Sequence, residues 1–409
     1  MADIDLVGME FWGRPPAERY AAFARLRELG EPVYFAEPRV PLVRSGKGFY
    51  ALVRHADVLT ASRNAKVFSS EPAATSPEPP PWLAAIFGTP MVNMDDPRHA
   101  RLRRIVSRAF SPKMLTKIEN DIQITATKIV DDLRPGDFVS QVAARLPINA
   151  ICSMMGIPER TRPYVLQRID AMTEYSGVRG SLASPRTLRL LAGNLKAIVD
   201  LHRLVARLGK ARLEDPQDDL VSALVNANVD GERLSVKELG SFFDLLLVAG
   251  NETTRNALAH GIKLFTDHPD QRAYLLEDFE SRIGPAIEEI VRYVSPIIQF
   301  RRTLTEDFEL GGHQFHQGDK VVLFYLAANR DPEVFPDPDR FDITRTPNPH
   351  VGFGGPGPHL CLGANLARME LKIMFRELFT RHPGIHTTGE PELLLSNFDN
   401  GVVRQPFAF

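Results

Sequence analysis

Four groups of residues have types and spacings that could do chemistry. The first centres on Cys361, which ends a glycine-crowded run, Gly352-Phe353-Gly354-Gly355-Pro356-Gly357-Pro358-His359-Leu360-Cys361-Leu362-Gly363, and leads into Ala364-Asn365-Leu366-Ala367-Arg368. A cysteine at a helix N-terminus has its thiolate stabilised by the helix dipole and by free backbone N–H groups. Glycines let backbone amides approach the sulfur and adopt positive φ. Such a thiolate is a good soft metal ligand, its donor strength tuned by those hydrogen bonds. The bland alternatives are a small buried hydrophobe for the cysteine and a plain turn for the Gly/Pro cluster. Zinc is excluded, because His359 and Cys361 make only two ligands and no C-x-x-C partner exists.

The second group is Ala249-Gly250-Asn251-Glu252-Thr253-Thr254, an acid beside two alcohols within a helical pattern. A mid-helix glycine costs about 1 kcal/mol relative to alanine, so Gly250 asks for an explanation, either close helix packing or a turn opened to accept a small ligand or a water. The third group is basic. His99 and Arg103 are four apart and share a helix face, while Arg101, Arg104 and Arg108 form a separate stripe. The fourth is Glu289 and Arg292, three apart, which on most helices would be a solvated ion pair.

The elements that must carry these groups can be read from periodicity and punctuation. Residues 14 to 30 read as a helix stopped by glycine, Pro32–Phe35 and Phe49–Val53 as strands, and His55 as the start of another helix, which implies a small mixed sheet. Glu71 to Pro81 is too rich in proline for regular structure. Asp96-Pro97 opens the helix of His99 and Arg103. Residues 112 to about 230 read as mostly helical, interrupted at Gly177–Pro185. A long helix spans about Ser235 to Asp267, opened by the capping box Ser235-Val236-Lys237-Glu238 with Leu234 and Leu239 as its hydrophobic staple. Gly284-Pro285 begins the helix of Glu289 and Arg292. Strands follow at Arg302–Leu310, His313–Phe315 and Val321–Tyr325, then one helix from Cys361 to about Arg381 and a hairpin turn at Ser396–Gly401.

Composition narrows the class. The 409 residues are 44% hydrophobic, enough for a large core. A formal charge of −2, from 49 basic and 51 acidic side chains, gives no reason to expect nucleic acid or an anionic membrane as partner. The two cysteines, Cys152 and Cys361, make no disulfide framework and fit a reducing cytoplasm. The first residues are acidic where a signal peptide would be basic, and no run of about eighteen apolar residues could span a membrane.

Taken together, the Cys361 loop resembles the haem-binding signature of the cytochrome P-450 superfamily, in which Phe, Gly, His and Gly surround the ligating cysteine. One departure is visible: Phe353 lies one residue further from Cys361 than usual, as in an actinobacterial subgroup acting on sterols and branched lipids. Three further motifs match in order, so the resemblance covers essentially the whole chain. It implies a single domain over residues 1–409, mainly α with a smaller β-rich part, holding haem b between the long central helix and the Cys-loop helix.

The resemblance also implies roles. Cys361 would be the axial haem ligand, with Phe353, Gly363, Ala249 and Gly250 against the haem and His99, Arg103, Arg302 and His359 at its propionates. Glu252 and Thr253 would form the acid–alcohol pair that delivers protons during O₂ activation. Glu289, Arg292 and Arg340 would form a structural network. Trp82, Phe87, Met91, Val92, Leu246, Val248, Ile297, Ile298 and Phe398 would line an apolar substrate pocket, and Arg101, Arg104 and Arg108 would dock an acidic redox partner. The activity implied is monooxygenation of a hydrophobic sterol, terpenoid or methyl-branched lipid. No flavin or nucleotide fingerprint occurs in the chain, so electrons would come from a ferredoxin and its reductase. A peroxide-driven peroxygenase is disfavoured by the Glu252–Thr253 pair, as is a non-catalytic haem sensor.

Overall fold

The computed structural model describes residues 4–37, 48–75, 81–109, 112–176, 185–227 and 234–409. Two of the expectations above, the proline-rich stretch at 76–80 and the interruption at 177–184, lie outside them. The chain builds a mainly helical body with a smaller β-rich region. The five-stranded sheet runs in the order Val33–Phe35, Phe49–Leu52, Lys320–Phe324, Gln299–Leu304, Phe68–Ser69. Its one parallel pairing joins Phe49–Leu52 to Lys320–Phe324, with Ala51 opposite Val322, so the sheet is mixed as expected. A cluster around Phe11, Trp12, Phe23 and Phe324 fills one side of it.

The helical body is organised around the central helix, Val236–Asp267. Its start is fixed by a complete capping box: the Glu238 amide donates to Ser235 Oγ at 3.2 Å, and the Ser235 amide donates to Glu238 Oε2 at 2.8 Å. Leu239, Phe243, Leu247, Leu258, Ile262 and Phe265 bury one face in the largest apolar cluster, shared with the helices Arg145–Met154, Phe279–Val294 and Ala364–Arg381. At roughly 1.5–3 kcal/mol per buried large apolar side chain, that face rather than local propensity holds the helix. The central helix and the C-terminal helix Ala364–Arg381 lie side by side. A Cβ at Gly261 would sit 2.7 Å from the Phe375 ring, and Phe265 meets Phe379 edge-on at 5.5 Å between centroids.

Two boundaries differ from the sequence reading. The helix carrying Glu289 starts at Phe279, not at Gly284, with Pro285 inside it. The cap is Asp278, whose side chain accepts from the Ser281 amide, so a proline taken as a start signal is an interior residue. The stretch 302–310 is two strands, Gln299–Leu304 and Phe308–Leu310, because the turn at Glu306-Asp307 intervenes. Among the described residues, no helix is long and apolar enough to cross a membrane.

Candidate functional site

The Cys361 loop is shaped by two helices packed beneath it. A Cβ at Gly355 would lie 2.5 Å from Ser62 Oγ and one at Gly357 would lie 2.1 Å from the Ser62 carbonyl oxygen, so these glycines let the loop press on the helix His55–Arg63. Gly352 makes the same close approach to Val291. Gly354, at φ +85°, also needs glycine for its own conformation. The Cys361 amide donates to the Phe353 carbonyl at 2.9 Å, tying the end of the loop to its beginning. Cys361 itself is exposed, unlike the fully buried Cys152. Desolvation raises its thiol pKa, opposed by a hydrogen bond from the Gly363 backbone and by the charges of Arg103 and Arg368. Exposed yet desolvated, the sulfur lies in the wall of a recess.

The opposite wall is the central helix. It touches the C-terminal helix at the Thr254–Glu370 hydrogen bond and from there to Phe265 and Phe379. Towards their N-termini, Val248 and Ala249 are exposed on one, and Cys361, Gly363 and Asn365 around the start of the other. These exposed ends mark the candidate cleft. Thr253 is half-buried there, its hydroxyl donating to the Ala249 carbonyl at 2.7 Å. The helix is continuous through this turn, so no opened turn is present. Gly250 is explained by packing instead, since a Cβ there would meet Ile151 Cδ1 at 2.9 Å.

Four basic groups gather at one rim. His99 is buried and its ring lies 4.2 Å from that of His359. Arg103 donates to the Leu360 carbonyl at 2.7 Å. Arg302 is buried and donates to the Arg301 carbonyl at 2.7 Å. Desolvation, followed by the charges of Arg302, His99 and Arg103, pushes His359 down to about 3, so it is neutral. Ser70 Oγ contacts His359 Nε2 at 3.0 Å.

A family model for Cytochrome P450 matches residues 54–383. The chain belongs to the cytochrome P450 family. It is a monooxygenase. Relatives include a methyl-branched lipid omega-hydroxylase of Mycobacterium tuberculosis, 43% identical over 99% of this chain and 94% of the relative. A steroid C26-monooxygenase of Mycolicibacterium smegmatis is 38% identical over 93% of this chain and 88% of its own. Among solved structures, a Mycobacterium marinum cytochrome P450 in complex with pseudoionone superposes with a TM-score of 0.89 at 42% identity, covering 100% of this chain and 98% of that one.

A P450 implies a haem cofactor, and the residues at this cleft fit one. A thiol faces the recess at the head of a helix, where dipole and backbone N–H groups favour its thiolate. A Cβ at Gly363 would meet no atom within 4 Å, so protein packing does not account for that glycine, whereas a flat group laid over the loop would. Arg103 and Arg302 are cations disfavoured by desolvation beside two imidazoles, and a bound carboxylate would compensate them, for which an Arg fork is geometrically suited.

The P450's expected pocket residues divide. Leu246, Val92, Ile297 and Phe398 are half-buried and Val248 is exposed, while Phe398 packs edge-on against Phe300 at 5.3 Å. Phe87 meets the His202 ring at 5.4 Å, joining its short helix to the helix Pro185–Glu214. Met91 is buried with Met94 and Leu102, next to Leu245 and Leu362. Ile298 is a correction: it is fully buried with Phe23, Phe324 and Leu326, because its neighbour Ile297 takes the opposite side of the extended chain. The side chain of Trp82 lies outside the described set.

The structural network is corrected as well. Glu289 and Arg292, both fully buried, form a bidentate pair at 2.7 Å for each hydrogen bond. The second guanidinium is that of Arg345, 3.3 Å from Glu289, rather than that of Arg340. The Arg340 side chain is 64% exposed, and only its carbonyl joins in, accepting from Arg292 at 3.1 Å. The basic stripe is also reduced, since Arg101 donates to Glu238 at 2.6 Å while Arg104 and Arg108 are exposed.

Two desolvated carboxyls, Asp399 and Glu370, were missed in the sequence. The expected acid, Glu252, is buried and pairs with Arg255 at 3.3 Å. Asp399 faces both, and burial, then the charge of Glu252, pushes it up to about 7. Burial takes Glu370 to about 8, so it is largely protonated at neutral pH. Glu370 lies nine residues past Cys361 on an otherwise amphipathic helix, and helical phase was the one signal that could have placed it inward.

Proposed function

We propose that this chain is a haem-thiolate monooxygenase that places one oxygen atom of O₂ into a C–H bond of a sterol, terpenoid or methyl-branched lipid. One observation carries the reading: the Cys361 thiol, braced by its loop, is exposed at the head of the C-terminal helix, whose neighbour, the central helix, exposes Ala249 and half-buries Thr253. When bound there, haem b would supply O₂ reduction and C–H oxidation, which a thiolate ligand favours. The chain's own residues would do the rest. Cys361 would supply the thiolate, and Arg103, Arg302, His99 and His359 would fix the haem carboxylates. The Thr253 hydroxyl, now donating to Ala249, would turn to donate into the cleft. Glu252 would pass protons from the buried Arg255–Asp399 side.

Leu246, Val248, Ile297 and Phe398 give the cleft apolar contacts that favour a hydrophobic substrate at roughly 25 cal/mol per Å² of buried apolar surface. The lipid and steroid activities named for the mycobacterial relatives support the same substrate class. A ferredoxin and its reductase would supply electrons at the exposed Arg104 and Arg108, and the whole chain would act as one cytoplasmic unit.

The test is an optical titration of the ferric protein with a branched fatty acid, a sterol, an acyclic terpenoid and a compact aromatic acid. The expected outcome is a low- to high-spin shift with one of the first three. A shift with the aromatic acid alone, or with none, refutes the lipid reading. In turnover with a ferredoxin system, Thr253→Ala should divert electrons away from product. Undiminished product per electron refutes the role given to Thr253.

A further inference from the structure

Glu288 and Glu289 are neighbours on one helix, and the roughly 100° between consecutive residues sends them to different partners. Glu289 turns inward to Arg292. Glu288 turns towards the C-terminal helix, where it receives two hydrogen bonds from Arg368, at 2.5 and 2.9 Å. A third comes from His350 Nε2 at 3.0 Å. The Gly352 amide donates to His350 Nδ1 at 3.1 Å, which leaves the ring proton on Nε2 and aims it at Glu288. Burial alone would raise the Glu288 carboxyl, yet the hydrogen bonds from Arg368 and His350 bring it down to about 2, so it is ionised at all working pH.

Held in this fork, the Arg368 guanidinium lies 4.4 Å from the centroid of the Phe353 ring. The Phe353 carbonyl accepts the Cys361 amide at 2.9 Å, so the cation, the ring and the cysteine follow one another in space. Arg368 and Arg103 are the two cations whose charge favours the Cys361 thiolate. Of the two, among the described residues, only Arg368 has a carboxylate locked onto it at bidentate distance.

We propose that Glu288 is a positioning residue that fixes the Arg368 guanidinium over Phe353 and offsets its charge, and so sets how strongly the Cys361 sulfur donates. The inference rests on Cys361 being the haem ligand. Removing the negative charge leaves Arg368 uncompensated, so the sulfur holds its electrons more tightly and the reduced state of the centre gains. Removing Arg368 does the reverse. Arg368 lies seven positions beyond Cys361, the last five of them in the helix Ala364–Arg381, and at a separation on the order of 10 Å and an effective dielectric of about 20 a unit charge alters an equilibrium by about tenfold.

The experiment is spectroelectrochemical titration of the haem-loaded wild type, Glu288→Gln, Arg368→Gln and the double variant, each with its reduced CO spectrum. Glu288→Gln is expected to raise the reduced-to-oxidised ratio at fixed potential by about three- to tenfold, where tenfold is about 59 mV for one electron. Arg368→Gln should lower it by a similar factor, and the double variant should return close to wild type. Opposite signs cannot arise from mere loosening, which would move both variants the same way and erode the thiolate-type CO band. Shifts of the same sign, or none, overturn the proposal. Should Glu288→Gln fail to fold, Arg368→Gln against Arg368→Lys carries the test, with a lowered ratio in the first and wild-type behaviour in the second. A wild type lacking the thiolate-type band would instead overturn the haem-thiolate reading.

Discussion

Replacing Glu370 by glutamine should make this protein more stable, and increasingly so as pH rises. Glu370 is fully buried between the central and C-terminal helices, and among the described residues its one side-chain partner is Thr254 and its Oε1 has no hydrogen-bond partner. Burial raises its pKa from 4.5 to about 8. Because the folded-state pKa lies above the unfolded one, the folded protein keeps this proton to higher pH. The group therefore costs no stability below about pH 4.5, and progressively more as pH rises to about 8, at about 1.4 kcal/mol per pH unit. Integrated over that window, the ceiling is about 5 kcal/mol, and water penetration should reduce it to about 2–4 kcal/mol. Glutamine keeps the shape and a hydrogen bond to Thr254 but cannot ionise. The assay is urea unfolding of haem-loaded wild type and Glu370→Gln between pH 5 and 8.5. The stability difference should grow steadily with pH. A difference that stays flat across the window refutes the buried, neutral carboxyl.

Two further substitutions separate the corrected contacts from the expected ones. Arg345→Ala should cost about 3–5 kcal/mol by uncovering part of the buried Glu289 charge. Arg340→Ala, at an exposed side chain, should stay within about 0.5 kcal/mol, and denaturant midpoints under matched conditions decide between the two. Gly250→Ala should forfeit much of the about 1 kcal/mol that helix propensity alone would add, because its Cβ would meet Ile151 Cδ1 at 2.9 Å. Adding Ile151→Val removes that atom, so thermal melting of the double variant should recover most of the loss.

What was legible in the sequence was local. The Cys361 loop, the capping box at Ser235 and the long helices that follow each are written within a dozen or so residues, where turn chemistry and helical period act directly. What was not legible depends on which distant segments meet. Gly250 reads the same whether it faces a cleft or Ile151, a residue about a hundred positions earlier. Arg340 and Arg345 are equally plausible partners for Glu289 until the chain between them turns and presents one carbonyl and the other guanidinium. Ile297 and Ile298 are indistinguishable by type, and only strand direction sends one to the core. Glu370 and Asp399 look like surface carboxylates because their burial is made by helices and a turn far away in sequence.

The most direct test of the account is to replace Cys361 by serine and record the CO-bound spectrum of the reduced, haem-reconstituted protein beside wild type. The wild type should give the strongly red-shifted absorption band of a thiolate-ligated haem. The serine variant should bind haem through the basic rim at Arg103 and Arg302 yet lose that band and all turnover. A serine variant that keeps the red-shifted band, or a wild type that never shows it, would contradict the account at its centre.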